Sequence, residues 1–337
     1  MPDTIRITAI QCRQVPGLEA TRANPFSDGF HIDGLHAQVD RGLAHFEDLY
    51  RQAAGAGCRL AAATEDFTQL GLAQTYLDDR AVFREAVARQ TPLIAQRLSG
   101  LARTLCCHLV ACYYALEGEV IHNVADLFSP TGGLAGRYRK VHLPLYETWQ
   151  VTPGTAFPAF ETDLGWIGML ICYDQMWPEA AACCALNGAQ LIVHPSAAEL
   201  PDYQMRTRAR DCRVHYLSST WQNSMIASPR GQILASAGTD ECAMALAEVD
   251  LRDCNRPRPY YWESLYSGID DHKARHLRLR HREAYAPLVD PDPPLGRQYP
   301  DAHLASTPEG IAAVYQVHRE MQRRALRGEP IPYHWQW

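Results

Sequence analysis

Apolar residues along this chain recur at two alternating periods. Residues 5–10 (IRITAI) place them at every second position, as a half-buried strand does. A polar, turn-rich segment follows over 24–34. From about 35 to 56 the apolar spacing turns helical, and Gly57 closes the element. Residues 59–64 form an apolar run that reads as a buried strand ending at Glu65-Asp66. A long helix is expected over 79–104, then a strand at 108–116, a hairpin through Glu117-Gly118-Glu119 into 120–128, and a turn at 129–133. Residues 134–141 read as a short strand, 167–172 as an apolar strand, and Pro178 as the start of a short helix ending near Asn187-Gly188. A strand at 190–194, a helix at 204–214 and three more strands between His215 and Val249 complete the pattern.

This interleaving of hairpins and β-α-β crossovers predicts one layered α/β unit rather than two separable domains. From about Arg252 the character changes: Pro, Tyr, Arg and His dominate, and residues 290–294 (DPDPP) look like a rigid extended linker. A last helix is expected from a Thr307 cap to about Leu326. The chain divides accordingly into a main domain over 4–284 and a C-terminal arm with one helix over 285–337. Such an arm either wraps its own core or a partner subunit, or stays partly disordered between 285 and 305.

Composition narrows the classes. Of 337 residues 47% are apolar, ample for a large core, and with a net charge of −6 and no long basic run nothing points to a nucleic-acid partner. The eleven cysteines include no C-x-x-C pair, so neither a disulfide framework nor a zinc spacing is expected. Most of them read as small buried hydrophobes in a reducing, cytoplasmic compartment. The N-terminus runs straight into a strand pattern with no signal-peptide profile. The longest nearly apolar stretch, 164–173, is far short of the ~20 residues that cross a bilayer, so no membrane association is expected.

Three side chains stand out chemically. Cys172 lies at the end of an apolar strand, six residues before a helix-starting Pro. At such a corner a nucleophile projects from the sheet, and backbone N–H groups can stabilise a thiolate or an oxyanion. The competing reading is one more buried thiol among eleven. Lys140 ends another strand, and among 32 basic side chains only Lys140 and Lys273 are lysines. A compact ammonium suits an oxyanion or a proton exchange, although an ordinary surface lysine is the default. Glu65, at the tip of the 59–64 strand, could take a thiol proton and return it to a leaving amine. Asp66 competes for that role, because neighbours on an extended chain point to opposite faces.

Together the segments TEDF around Glu65, GRYRKVHLP around Lys140 and LICYDQMWPEAA around Cys172 resemble the nitrilase superfamily of carbon–nitrogen hydrolases. ITAIQ near the start, HPSA at 194–197 and RARDCRVHY at 208–216 support the resemblance, which covers about 4–250. It implies a four-layer α-β-β-α sandwich, assembled as a homodimer or larger homo-oligomer, with neither metal nor organic cofactor. It implies a Glu65–Lys140–Cys172 triad with Glu147 as a second carboxylate, and Lys140 and the Tyr173 N–H as oxyanion donors. Thr64 departs from the Pro that commonly precedes the first catalytic Glu. The resting state of Cys172, thiol or thiolate, stays open.

Tyr173-Asp174 after the nucleophile looks like the amidase and carbamoyl-hydrolase branches, where nitrilases carry Trp-Glu. Gln175-Met176 stand where branches acting on carboxylate-bearing substrates place Arg. The Cys segment is most similar to that of N-carbamoylputrescine amidases, whose substrates end in an amine. Tyr146, Trp149, Met176 and Trp177 either line an apolar pocket or pack in the core. The resemblance thus implies hydrolysis of a small amide or ureido compound. A nitrilase, an N-acyltransferase and a catalytically silent binding or scaffold protein are the rivals.

Overall fold

The computed structural model describes residues 4–13, 15, 32–70, 80–144, 147–256, 272–290, 293–298 and single positions between 307 and 329. Its strands are β1 (Ile5–Cys12), β2 (Leu60–Ala62), β3 (His108–Glu117), β4 (Val120–Phe128), β5 (Leu134–Arg139), β6 (Ala159–Thr162), β7 (Gly165–Met169), β8 (Leu191–Pro195), β9 (His215–Ser219), β10 (Met225–Ala227), β11 (Ile233–Ser236) and β12 (Cys242–Val249). The main helices are α1 (Ile32–Gly55), α2 (Arg80–Leu105), α3 (Pro178–Leu186) and α4 (Asp202–Cys212).

The strands form two six-stranded sheets, ordered β12-β1-β2-β3-β4-β5 and β11-β10-β9-β8-β7-β6. Alternation along each strand decides which layer a residue serves. Leu60, Ala62, Val110 and Cys112 join the core shared with the second sheet, whereas Ala61, Ala63, Leu109 and Ala111 pack beneath α1 and α2. On the far side, Ala180, Cys184, Met205 and Ala209 of α3 and α4 cover the second sheet. This is the expected four-layer sandwich. One buried hydrogen bond crosses between the sheets, from Ser219 Oγ to Ala62 O at 2.9 Å.

Strand direction brings the candidate residues to one edge. β2 and β3 run parallel, and β5 returns to the same direction through two antiparallel pairings. The chain therefore leaves β2 toward Glu65 and β5 toward Lys140 at the same end of the first sheet. In the second sheet β7, β8 and β9 are parallel, so β7 leads to Cys172 and β8 to Ser196 at their carboxyl ends.

Three local expectations are corrected. The strand expected at 167–172 ends at Met169, because Ile171, still extended, donates its N–H to Asp174 Oδ2 (2.9 Å) instead of a neighbouring strand. Cys172 thus opens a 3-10 turn rather than closing a strand. Four strands, not three, lie between His215 and Val249; β11 is a short, mostly exposed edge strand with little apolar signature. Residues 65–68 form a turn with Asp66 at φ +48°, so the opposite-face rule of an extended chain does not apply there.

Residues 272–278 dock on the chain's own core, where Lys273 Nζ donates to Ala189 O and Leu277 joins the main apolar cluster. Residues 281–290 are exposed. The described positions from 309 to 324 are helical, and Thr307 Oγ1 accepts from the Gly310 N–H at 3.0 Å as the expected cap.

The turn bearing Glu65 is strung between two helices. Gln38 of α1 donates to Thr68 O and Gln69 O, and Thr68 Oγ1 donates to Gln90 of α2. Gly42 permits this approach, since a Cβ there would sit 2.9 Å from Thr68 Cα and 3.1 Å from Phe67 O. Gly42→Ala should overpack this contact and cost about 1–3 kcal/mol, measurable by urea unfolding.

Candidate active site

Lys140 lies one residue past β5, its backbone N–H still bonded to Asn123 O of β4. Its ammonium, 2% exposed, lies 2.8 Å from Glu65 Oε1 and 2.8 Å from Glu147 Oε2. Asn123 Nδ2 spans the same two carboxylates, donating to Glu65 Oε1 and Glu147 Oε1 at 2.8 Å each. The Ala197 N–H closes on Glu65 Oε2 (2.9 Å), and Tyr114 OH donates to Glu147 Oε1 (3.1 Å). Buried charges survive only when hydrogen-bonded in this way.

The two carboxylates share one ammonium, and their surroundings split them. Burial opposes the charge on Glu65, but Lys140, the Ala197 N–H and Asn123 prevail and hold its carboxyl below the ordinary range. For Glu147, burial together with the Glu65 charge outweighs Lys140 and Asn123, and its carboxyl is held above that range. Paired carboxylates pushed apart by environment are an acid–base arrangement.

Glu65, Lys140 and Ser196 all act on the Cys172 thiol. Part of the residue is open to solvent, yet burial and then the Glu65 charge push its thiol up to about 12, against the pull of Lys140 and Ser196. It therefore rests as a thiol at neutral pH, beside the Glu65 carboxylate. Its backbone is left-handed, φ +42°, a conformation a side chain adopts at a cost of about 1–3 kcal/mol. Two anchors hold it. Asp174, fully buried, accepts from the Ile171 N–H (2.9 Å), Tyr138 OH (2.6 Å), the His142 N–H (3.0 Å) and His142 Nδ1 (2.8 Å). His194 is pushed down to about 4 by burial and is neutral. Its Nε2 donates to Cys172 O (3.2 Å), which leaves Nδ1 to accept from Tyr216 OH at 2.5 Å. The peptide after the thiol, the Tyr173 N–H, has no acceptor among the described residues.

The side chains of Glu65, Lys140 and Glu147 thus form one charge cluster, and Cys172 lies close enough to feel it. Asp66 does not join them; it caps its own turn by accepting from the Leu70 N–H (3.0 Å). Met176 is 53% exposed, and Trp177 lies flat on His142 at 3.8 Å between ring centroids, edge-on to Tyr173 at 5.2 Å. Met176 and Trp177 therefore stand at the surface, outside the core. Gln175 Oε1 is buried with no hydrogen-bond partner among the described residues. Tyr146 and the side chain of Trp149 lie outside the described residues.

Sequence reasoning missed Asn123, Tyr114, Ser196 and the anchors of the turn. Asn123 did leave a signal, an amide in the middle of the apolar strand VIHNVADLF, where only a buried partner justifies it.

Burial raises several core thiols together: Cys107 and Cys172 to about 12, Cys212 and Cys254 to about 11, against an ordinary 9. The unfolded chain releases these protons near pH 9 while the folded chain keeps them. Their contribution to stability is therefore complete below pH 9 and is lost as pH rises through 11 and 12. A melting series under reducing conditions should show Tm falling steadily above pH 9; a flat profile there would contradict it.

Among known proteins, the carbon-nitrogen hydrolase family profile matches residues 6–258. Omega-amidase NIT2 of Homo sapiens is 30% identical over 184 residues, an overlap of 47% of this chain and 66% of the human protein, just under two thirds of it. A nitrilase of Pyrococcus abyssi is 28% identical over 227 residues, 64% of this chain and 85% of that one. A solved carbon-nitrogen hydrolase of Helicobacter pylori G27 superposes with a TM-score of 0.66 at 21% identity, covering 86% of this chain and 99% of that one. With the profile spanning most of its length and the sandwich in place, the chain belongs to the carbon-nitrogen hydrolase family of the nitrilase superfamily.

Proposed function

We propose that this hydrolase cleaves a non-peptide amide or carbamoyl (ureido) C–N bond through a Cys172 thioester, with release of ammonia. The observation that carries the proposal is the Lys140 ammonium held 2.8 Å from both Glu65 and Glu147, beside a neutral thiol that Glu65 can reach.

Glu65 takes the Sγ proton as the sulfur adds to the carbonyl carbon, and the carbonyl electron pair moves onto oxygen. Lys140 and the Tyr173 N–H receive that oxyanion, each such donor being worth ~3 kcal/mol of barrier. The C–N bond breaks as Glu65 returns the proton to nitrogen, and ammonia leaves. A water then loses its proton to Glu65 and attacks the thioester carbon, and the departing sulfur recovers the proton. Glu147 and Asn123 keep Lys140 and Glu65 in register.

The similarity to an omega-amidase supports an amide substrate. Gln175 and Met176 occupy the positions where a carboxylate-binding Arg would be expected, which speaks against a free acid group. A buried, unpartnered Gln175 Oε1 suits a substrate N–H or ammonium, in line with an amine-terminated compound. The same reading carries a hydrolase domain over 4–284 with an arm over 285–337, a homodimer or larger homo-oligomer, and a reducing cytoplasmic setting that suits a core rich in buried thiols.

Ammonia release from a panel of carboxamides and ureido compounds, beside nitriles and with or without hydroxylamine, tests this. Turnover of amides or ureido compounds without added acceptor is expected. Turnover of nitriles alone, or only with an acceptor, would favour the nitrilase or acyltransferase reading. Cys172→Ala and Lys140→Ala should each abolish turnover in folded protein, and retained activity in either ends the proposal. Asn123→Leu removes two donors to charged groups, each worth about 1–3 kcal/mol, and should lower kcat/KM roughly 10- to 100-fold or more.

A further inference from the structure

On the helix-covered face of the first sheet, three side chains far apart in sequence converge without any part in the chemistry above. Cys12 ends β1, Cys242 opens β12, and His45 comes from α1. The two cysteines are directly opposed across the antiparallel pair. Arg13 donates to Glu241 O at 3.0 Å, so the next pair, Cys12 and Cys242, is the non-hydrogen-bonded kind whose side chains approach most closely. The sulfurs lie 3.2 Å apart, and His45 Nε2 stands 3.6 Å from Cys12 Sγ and 3.8 Å from Cys242 Sγ.

We propose that Cys12, His45 and Cys242 form a binding site for a single zinc-class divalent cation, with a water as fourth ligand. All three ligand atoms fall within 4.8 Å of one another. A tetrahedral ion with Zn–S of about 2.3 Å and Zn–N of about 2.0–2.1 Å separates sulfur from nitrogen by about 3.6 Å and sulfur from sulfur by about 3.8 Å. The two S···N separations are within about 0.2 Å of this, and the sulfurs need to part by about 0.6 Å. Two thiolates and an imidazole are a soft donor set that selects zinc over magnesium or calcium. Cys242 is exposed and His45 half-buried, so solvent can reach the fourth position. A bound ion would fasten the edge strand β12 to β1 and α1. A cross-strand disulfide is the rival use of the two sulfurs, but it leaves the imidazole facing both of them without a role.

The test uses untagged full-length protein, reduced with a phosphine, stripped with a chelator and titrated with Co2+. The expected result is one equivalent bound per chain, with a sulfur-to-cobalt charge-transfer band that Zn2+ abolishes. Cys172→Ala should keep the band in full. Cys242→Ser and His45→Gln should lose it while retaining the parent circular dichroism; Cys242 is exposed, so its serine variant is expected to fold. Zn2+ should raise Tm in the parent and leave Cys242→Ser unmoved. No uptake by reduced parent protein, undiminished uptake in Cys242→Ser, or a Cys12–Cys242 disulfide in protein purified from a reducing cytosol would each overturn the proposal.

Discussion

One ammonium between two carboxylates governs the architecture of this site. Lys140, buried to 2% exposure, has Glu65 on one side and Glu147 on the other. A charge so far from water is tolerable only with complete hydrogen bonding, and three charges raise that demand further. The structure meets it with Asn123, Tyr114 and the Ala197 N–H, drawn from β3, β4 and the turn after β8. The sandwich is thereby bound to the site: the residues that neutralise the cluster come from both sheets, so the sheets must pack for the cluster to exist. The Ser219–Ala62 hydrogen bond, three residues before Glu65 along the first sheet, reinforces that joint.

The same arithmetic explains why the thiol is neutral at rest. A carboxylate beside a sulfur discourages a second negative charge, and burial adds to the penalty. The left-handed backbone at Cys172 fits that arrangement, since it sets the thiol and the following N–H at one corner, held from behind by Asp174 and His194.

Strand tips were legible in the sequence because they follow a simple rule: an apolar run ends, and a polar side chain of unusual type stands at its end. Glu65, Lys140 and Cys172 were visible in this way, and the scarcity of lysine sharpened the second. Residues inside strands are harder to see: Asn123 shows only as an amide within an apolar run, and Tyr114 sits in a run whose pattern speaks only of packing. The choice between Glu65 and Asp66 is open in the sequence for a related reason: these residues fold into a turn, where strand alternation no longer holds. The ending of β7 depends on a side chain three residues ahead, Asp174, intercepting a backbone N–H. The Cys12–His45–Cys242 cluster is formed by separations of 33 and 197 positions, beyond any spacing rule for local metal motifs.

Lysine usage has one more consequence. Lys140 and Lys273 are 2% and 6% exposed, and every other basic side chain is an arginine. The outer surface thus carries its positive charge entirely as guanidinium. Reagents that acylate or reductively alkylate lysine would find no side-chain amine to modify unless the interior opened, and the first such opening at residue 140 would dismantle the charge cluster itself.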